Sequence, residues 1–349
     1  MKIGIITYTH GVNFGQRLQN YALQTVLENR GHITYTLKQT SPFGIKHSLK
    51  QFFIQAVNLI NPKNYNSDEK VRKNRFTAFN QRYIKFYGIK LHFFGNNVWV
   101  KRRFDAFIVG SDQIWSPLSS YVGDNSFLTF ADDNQKMTYA PSFSVTHFPT
   151  EKKEYYQKAL SHFKYLSIRE DRGAEIIREL TGKDAKVVVD PTLLLDRDDW
   201  NLIRKKSSVK PSSKYVLEMF IGGAPADIKE VETLYNLRTL KIGNNTPIGP
   251  DEFIDVVADA SLVLTDSFHT TVFSAIYHVP FINFSRNEFG DVMNSRFDTL
   301  YRILGIESRQ WNIMKSKSIY QLDFDKIDKN IYAEKKKSLQ FLYEELNSL

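Results

Sequence analysis

The chain has no cysteine among its 349 residues. That excludes a disulfide framework, a thiolate metal site and any mechanism with a cysteine nucleophile. No apolar run approaches the roughly 18 residues that a membrane-spanning helix requires. The opening stretch, MKIGIITYTH, has a lysine but no long apolar region and no small-residue cleavage site. It reads as a buried first strand rather than a secretion signal, and a cytoplasmic location is the expectation. Catalytic signatures are missing too: there is no H-E-x-x-H, no G-x-S-x-G, no His/Asp group with metal-ligand spacing and no convincing D-x-D pair. Metallohydrolase, α/β-hydrolase and metal-dependent sugar transferase readings are weak on that ground. The loop THGVNFGQR after the first strand lacks both the G-x-G-x-x-G spacing and a P-loop lysine, which leaves nicotinamide and ATP binding unsupported. Internal repeats and low-complexity segments are absent as well.

What is present is apolar and basic. Hydrophobic residues make up 42% of the chain and aromatic residues 14%, including 26 Phe and 18 Tyr, enough for substantial cores. The length suits two α/β domains. The net charge of +9 is concentrated. Between Ser41 and Phe104 stand thirteen Lys/Arg against Asp68 and Glu69, an excess of +11 that leaves the remainder slightly acidic. Two readings of this segment stay open. One is a helical insertion with a solvated basic face. The other is a surface that rests on anionic membrane or holds a phosphorylated lipid acceptor. No nucleic-acid-binding motif accompanies the charge, so nucleic acid is not expected as a partner.

In chain order, Lys2–Tyr8 is a strand, Thr9–Gly15 a polar loop, and Arg17–Arg30 a helix with Leu18, Tyr21, Ala22, Val26 and Leu27 on one face. Ile33–Leu37 completes a βαβ opening. In the basic segment, Ser48–Ile60 and Asp68–Tyr87 read as helices, the second with Val71, Phe79, Tyr83 and Phe86 on an apolar side. Phe104–Val109, Met137–Phe143 and Tyr165–Arg169 are further strands. A second series alternates strands at Lys186–Val189, Tyr215–Phe220, Arg238–Ile242, Ser261–Thr265 and Val279–Phe284 with helices, and Ile331–Leu349 is a charged terminal helix. Alternation of this kind implies doubly wound parallel sheets. We expect an α/β fold of two Rossmann-like domains facing a cleft, at 1–171 and 172–349, with the basic insertion at about 43–103 in the first. The terminal helix is expected to pack back across them.

Polar clusters recur where strands end. Asp266 or Ser267 can cap the helix after Ser261–Thr265, whose first turn carries His269, Thr270 and Thr271. Asn13, Gln16 and Arg17 follow the first strand; Ser111, Asp112 and Gln113 follow Phe104–Val109; Arg169 ends Tyr165–Arg169. Helix N-termini at the carboxyl ends of parallel strands bind anions. An arginine there clamps a carboxylate or phosphate, although pairing with Glu170 or Asp171 is a simpler role. A histidine, an arginine and helix N-termini in one cleft suit an anionic small substrate and proton transfer.

Six stretches together resemble the polysaccharide pyruvyl transferases: NFGQRLQNYALQ at 13–24, FDAFIVGSDQIW at 104–115, YAPSF at 139–143, SIRE at 167–170, VVDPTLLL at 188–195 and DSFHTTVFSAIYHVPFI at 266–282. The resemblance runs from Lys2 to about Gly305. It implies a GT-B arrangement of the two domains and transfer of pyruvate from phosphoenolpyruvate to a sugar as a ketal, with no metal or redox cofactor. By motif it implies His269 as proton donor or phosphate contact and Arg169 as a grip on the donor. Asp266 would orient the His269 turn, and the Ser267, Thr270 and Thr271 amides would face phosphate. Asn13, Gln16, Arg17, Ser111, Asp112 and Gln113 would line the acceptor side. Thr270 stands where the family usually has glycine, so a narrower pocket or a different acceptor is expected there. The implied acceptor is a precursor of a bacterial capsule, exopolysaccharide or cell-wall glycan, and the basic aromatic segment adds the expectation that it is lipid-linked and met at the inner face of the cytoplasmic membrane. A nucleotide-sugar glycosyltransferase of the same architecture and a non-catalytic glycan-binding protein are the alternatives.

Overall fold

A computed structural model describes residues 1–42, 67–95, 97–286, 295–314 and 318–349. In the first half, β1 (Lys2–Ile6) leads through a polar loop into α1 (Phe14–Asn29) and then β2 (Ile33–Thr36). Asn13 caps α1, its side-chain oxygen accepting from the Gln16 amide at 3.2 Å. There follow α2 (Ser67–Tyr83), β3 (Ala106–Val109), β4 (Lys136–Thr138), α3 (Lys153–Ser161), β5 (Ser167–Ile168), α4 (Asp171–Thr181) and β6 (Lys186–Val187). The strand order is β2-β1-β3-β4, and every pairing is parallel: Ile3 lies opposite Ala106 and Phe107 opposite Lys136. The parallel pair β5–β6 is joined to β4 by a bridge between Met137 and Tyr165. Since β5, α4 and β6 form one strand–helix–strand unit, a division after residue 171 falls inside it.

The second half runs α5 (Arg197–Asn201), β7 (Tyr215–Met219), α6 (Ile228–Glu232), β8 (Arg238–Ile242), α7 (Pro250–Ala258), β9 (Leu262–Thr265), α8 (Phe268–Ile276), β10 (Phe281–Asn283), α9 (Ser295–Leu304), α10 (Trp311–Met314) and α11 (Phe324–Asn347). Its sheet, β10-β9-β7-β8, is again all parallel. The α/β class with two parallel sheets is therefore as expected. Parallel strands place all their carboxyl ends on one edge, so each half has one edge for ligands.

Local departures have physical causes. The strand expected at Met137–Phe143 is confined to Lys136–Thr138, because Ala140 adopts φ 55 and turns the chain. The terminal helix starts seven residues earlier than expected, at Phe324, where Asp323 accepts from the Lys326 amide at 3.0 Å. It packs against the first half: Ser338 Oγ accepts from the Val189 amide at 3.0 Å, and the Arg30 guanidinium sits 4.8 Å from the Tyr343 ring centre.

The helix expected at Ser48–Ile60 lies outside the described residues. In α2 the buried residues are Arg72, Phe76 and Phe79, while Val71 is exposed, so the expected apolar side is rotated. An arginine holds the central buried position because its charge is met by backbone oxygens. Arg72 donates to the carbonyls of Gly243, Thr246 and Val12 at 3.0, 3.2 and 3.1 Å, and its guanidinium covers Phe14 at 4.4 Å. Arg75 pairs with Glu252 of α7. Phe14 in turn stacks on Phe253, with ring centres 4.7 Å apart. Helix α2 thus ties the start of α1 to the second half.

Candidate active site

The strand ends of the two halves meet where the start of α1 touches the start of α8. The contact is unusually close. A Cβ at Gly15 would collide with Nδ1, Cγ and Cε1 of the His269 ring, so only glycine lets α1 lie against this imidazole. On its other side, His269 Nε2 lies 3.6 Å from Asp190 Oδ2 and has no hydrogen-bond partner although it is buried.

Asp190, just past β6, gathers the site. Its Oδ1 accepts from the Thr192 amide at 3.0 Å and from Thr192 Oγ1 at 2.7 Å. Its Oδ2 accepts from Ser111 Oγ at 2.8 Å and from Arg169 Nη1 at 2.9 Å. Burial alone pushes this carboxyl up. The facing His269 ring, the Arg169 guanidinium and the Thr192 amide outweigh burial and hold it well below the usual carboxylate range, so it stays ionised. One carboxylate therefore binds the end of β3 and the end of β5 and, across the halves, faces the first turn of α8.

Arg169 is 2% exposed, and its backbone amide donates a hydrogen bond to the Pro141 carbonyl at 3.0 Å. Its guanidinium lies 4.4 Å from the Phe268 ring centre, and Nε has no partner. Burial alone would push it down, but Asp190, Glu170 and Asp112 outweigh that and keep it charged. The neighbouring Glu170 is fully buried; its Oε1 accepts from the Phe143 and Ser144 amides and Ser142 Oγ, whereas Oε2 is unpartnered. Burial pushes the Glu170 carboxyl up, against the opposing pull of Arg169. The simpler pairing of Arg169 with Glu170 or Asp171 is not formed; Asp171 pairs with Arg302.

The other expected residues separate by direction. Ser267 caps α8, accepting from the Thr270 amide, and its carbonyl accepts from the Thr271 amide. Those two amides are thereby used within the turn, leaving the amides of Phe268 and His269 at the open end. Thr270 points into the core, where Oγ1 donates to Met219 Sδ at 3.2 Å, so its side chain does not narrow the approach to the turn. Thr271 accepts from Asn283 Nδ2 at 2.6 Å in a buried network with Tyr301. Asp266 does not hold the His269 turn through its carboxylate. That group accepts from the amides of Ile221 and Gly222 and from Arg286 Nε at 3.1 Å.

In the first half, Asn13 is the exposed cap of α1, and Gln16 has a buried, unpartnered Oε1. Arg17 is 2% exposed, donates once to the Gly11 carbonyl at 2.7 Å and leaves Nε and Nη1 unpartnered. Burial pushes this guanidinium down to about 10. Asp112, next to Ser111, takes φ 74 in the tight turn after β3, while Gln113 is only half-buried. His10 stacks on Tyr121 with ring centres 3.8 Å apart. Burial pushes His10 down, Arg17 adds to this and Asp112 opposes it. Asp190, Gly15, Glu170 and Arg286 join the expected set; the first three stood in the quoted stretches VVDPTLLL, NFGQRLQNYALQ and SIRE without a site role, and Arg286 lay outside all six. Among the described residues no group of three or more His, Asp and Glu is arranged to hold a metal ion.

A family model described as polysaccharide pyruvyl transferase matches residues 13–288. The chain belongs to that family. The match starts at the Asn13 cap and ends past Arg286, so all the residues above from Asn13 to Arg286 fall within it. No curated protein matches the sequence significantly. Among solved structures, the UDP-GlcNAc 2-epimerase of Neisseria meningitidis bound to UDP-GlcNAc is similar, with 10% identity, TM-score 0.53 and all of both chains covered. HepE of Anabaena, in complex with UDP and glucose, is 12% identical with TM-score 0.51, again over all of both chains. The N-terminal domain of Candida albicans trehalose-6-phosphate phosphatase is 9% identical with TM-score 0.52, covering 99% of this chain and 96% of that one. Such identities speak for the fold alone. It is the two-domain, Rossmann-like GT-B arrangement.

Proposed function

We propose that this family member transfers pyruvate from phosphoenolpyruvate to a sugar of a surface polysaccharide or cell-wall glycan precursor, forming a pyruvate ketal. The observation that carries the reading is the Asp190 junction, which sets a buried arginine and an unpartnered histidine nitrogen side by side at the meeting of two strand edges. The chemistry needs one proton donor and cationic grips on a small anion. His269 gives its Nε2 proton to the methylene carbon of phosphoenolpyruvate, which makes the central carbon cationic. A sugar hydroxyl attacks that carbon and returns its proton to His269; the C–O bond to phosphate then breaks, and a second hydroxyl closes the ketal, its proton leaving with the phosphate. Arg169 and the open amides of α8 hold the negative charge of the donor throughout. Asp190 fixes the positions of Arg169 and His269. Gln16, Arg17, Asp112 and Gln113 approach from the first half as the acceptor side.

The acceptor we favour is lipid-linked, with the protein at the inner face of the cytoplasmic membrane; no helix of the described residues is long and apolar enough to cross a membrane itself. The test is incubation of the purified protein with phosphoenolpyruvate and a panel of lipid-linked sugars. Release of phosphate with a matching gain of pyruvate on the sugar is expected. Absence of phosphoenolpyruvate binding in calorimetry would overturn the donor assignment. A nucleotide-sugar donor is the second reading, favoured by the UDP-bound relatives of the same fold. It predicts thermal protection by UDP and none by phosphoenolpyruvate.

A further inference from the structure

Three arginines, Arg169 and Arg296 buried and Arg286 half-buried, surround the Arg169 corner, and their charges are not equally met. Arg169 is paired with Asp190, and Arg286 with Asp266. Arg296, in the first turn of α9, is 4% exposed, forms no ion pair or hydrogen bond among the described residues, and has a buried, unpartnered Nε. Its placement follows from the packing of α9. Thr299 Oγ1 accepts from the Asp171 amide at 2.9 Å, which sets the start of α9 on the Glu170–Asp171 corner. Phe297 lies 6.3 Å from Phe268, the ring that underlies the Arg169 guanidinium.

A guanidinium withdrawn from water without a paired counter-anion is strongly unfavourable, and an anionic ligand that supplies the charge relieves that cost. Burial pushes Arg296 down to about 9, repulsion from Arg286 and Arg169 adds to this, and Asp112 and Glu170 oppose it. Those four neighbours come from both halves and from the corner already assigned to the donor. The planar, forked guanidinium, which lies 5.6 Å from the Phe297 ring centre, matches a phosphate or carboxylate.

We propose that Arg296 is a donor-binding residue that grips the phosphate group of the substrate held at Arg169 and His269. The proposal rests on the phosphoenolpyruvate reading for the identity of the anion, but not for the existence of the anion site. Phosphoenolpyruvate carries a carboxylate and a phosphate, so it needs two cationic grips; Arg169 is one and Arg296 the other. Because Arg296 enters from the second half, a bound donor also bridges α9 to β5.

The experiment uses the full chain with Arg296→Gln and Arg296→Lys, titrated in a calorimeter with phosphoenolpyruvate and separately with inorganic phosphate, alongside melting temperatures without ligand. Loss of one charge-assisted contact predicts about 10- to 100-fold weaker binding of both anions in the Gln variant, with partial recovery in the Lys variant. The ligand-free Gln variant is expected to melt at or above the wild-type temperature, since an unmet buried charge is gone. Unchanged affinity in the Gln variant overturns the proposal, and so does a lowered ligand-free melting temperature, which marks a structural arginine. If wild type binds inorganic phosphate through Arg296 but not phosphoenolpyruvate, the anion site stands and the donor assignment falls. Binding of neither removes both.

Discussion

Substituting Gly15 by alanine tests whether the His269–α1 contact is the working geometry. In an ordinary helix the change stabilises by about 0.5–1 kcal/mol, because alanine loses less backbone entropy than glycine. Here the added Cβ would overlap three atoms of the His269 ring, so either α1 or the imidazole must shift. Overpacking of a buried contact costs about 1–3 kcal/mol, which exceeds the helix gain and reverses its sign. The net expectation is a loss of about 0.5–2 kcal/mol in urea unfolding. A displaced imidazole of about 1 Å lowers turnover about 100-fold, measured as phosphate release from phosphoenolpyruvate with a competent acceptor. The double variant Gly15→Ala/His269→Ala separates the two effects. Stability should return, because the colliding ring is gone and the helix gain remains, whereas activity stays lost. A Gly15→Ala protein that is more stable than wild type and fully active would refute the close-contact reasoning.

Three other outcomes follow from the same geometry. Asp190→Asn keeps an acceptor for Thr192 but takes from Arg169 its one paired carboxylate; we expect about 3–5 kcal/mol of destabilisation and loss of phosphate release, checked by thermal melts and turnover, and an intact variant would remove Asp190 from its central role. Arg72→Ala removes three donors to carbonyls and the cover over Phe14; a drop of about 2–3 kcal/mol in urea unfolding is expected, and no change would mean that α2 does not hold the halves together. The Glu170 carboxyl is pushed up in the folded protein, so stability from this group is greatest in acid, below the ordinary carboxyl value, and declines as pH rises through the folded value. Glu170→Gln keeps Oε1 for the Phe143 and Ser144 amides, so it should flatten that decline in pH-dependent melts; an unchanged slope would show that Glu170 ionises without cost.

The order of strands and helices was readable because apolar runs and caps follow the local chain: Ser267, one of the two caps offered, does cap α8, whereas α1 starts three residues before the expected Arg17, at the Asn13 cap. The motif at 266–282 holds the turn that faces Asp190, and His269 and Arg169 both approach Asp190 Oδ2. Direction within the turn was not readable. Thr270 and Thr271 follow His269 immediately, yet the helical rotation sends both into the core. Asp190 stood in a recognised motif but reads locally as a cap before a proline, as its bond to the Thr192 amide confirms; its partners lie 21 and 79 residues away in sequence at Arg169 and Ser111. Gly15 reads as the end of a polar loop because nothing local reports the ring it touches. In α2 the apolar pattern misled, since an arginine served by carbonyls takes the place of a core residue.

The basic segment can be divided by what each charge already does. Arg72 and Arg75 are committed to the second half, Lys85 pairs with Glu28, and Lys101 with Asp132. Lys73 pairs with Glu69 one turn away. Arg82, Lys90, Arg102 and Arg103 remain exposed with no ion pair among the described residues. An anionic surface attracts each such cation by about 1 kcal/mol near the surface, so four of them suffice for a weak, salt-sensitive association but not for stable anchoring. The two readings of this segment are therefore not exclusive. Its inner face is structural, since it closes α1 and α7 around Phe14, and only its outer face is available to an anionic partner. A mutation that targets membrane contact must spare Arg72 and Arg75, because their loss would disturb the α1–α8 junction that holds Gly15 against His269.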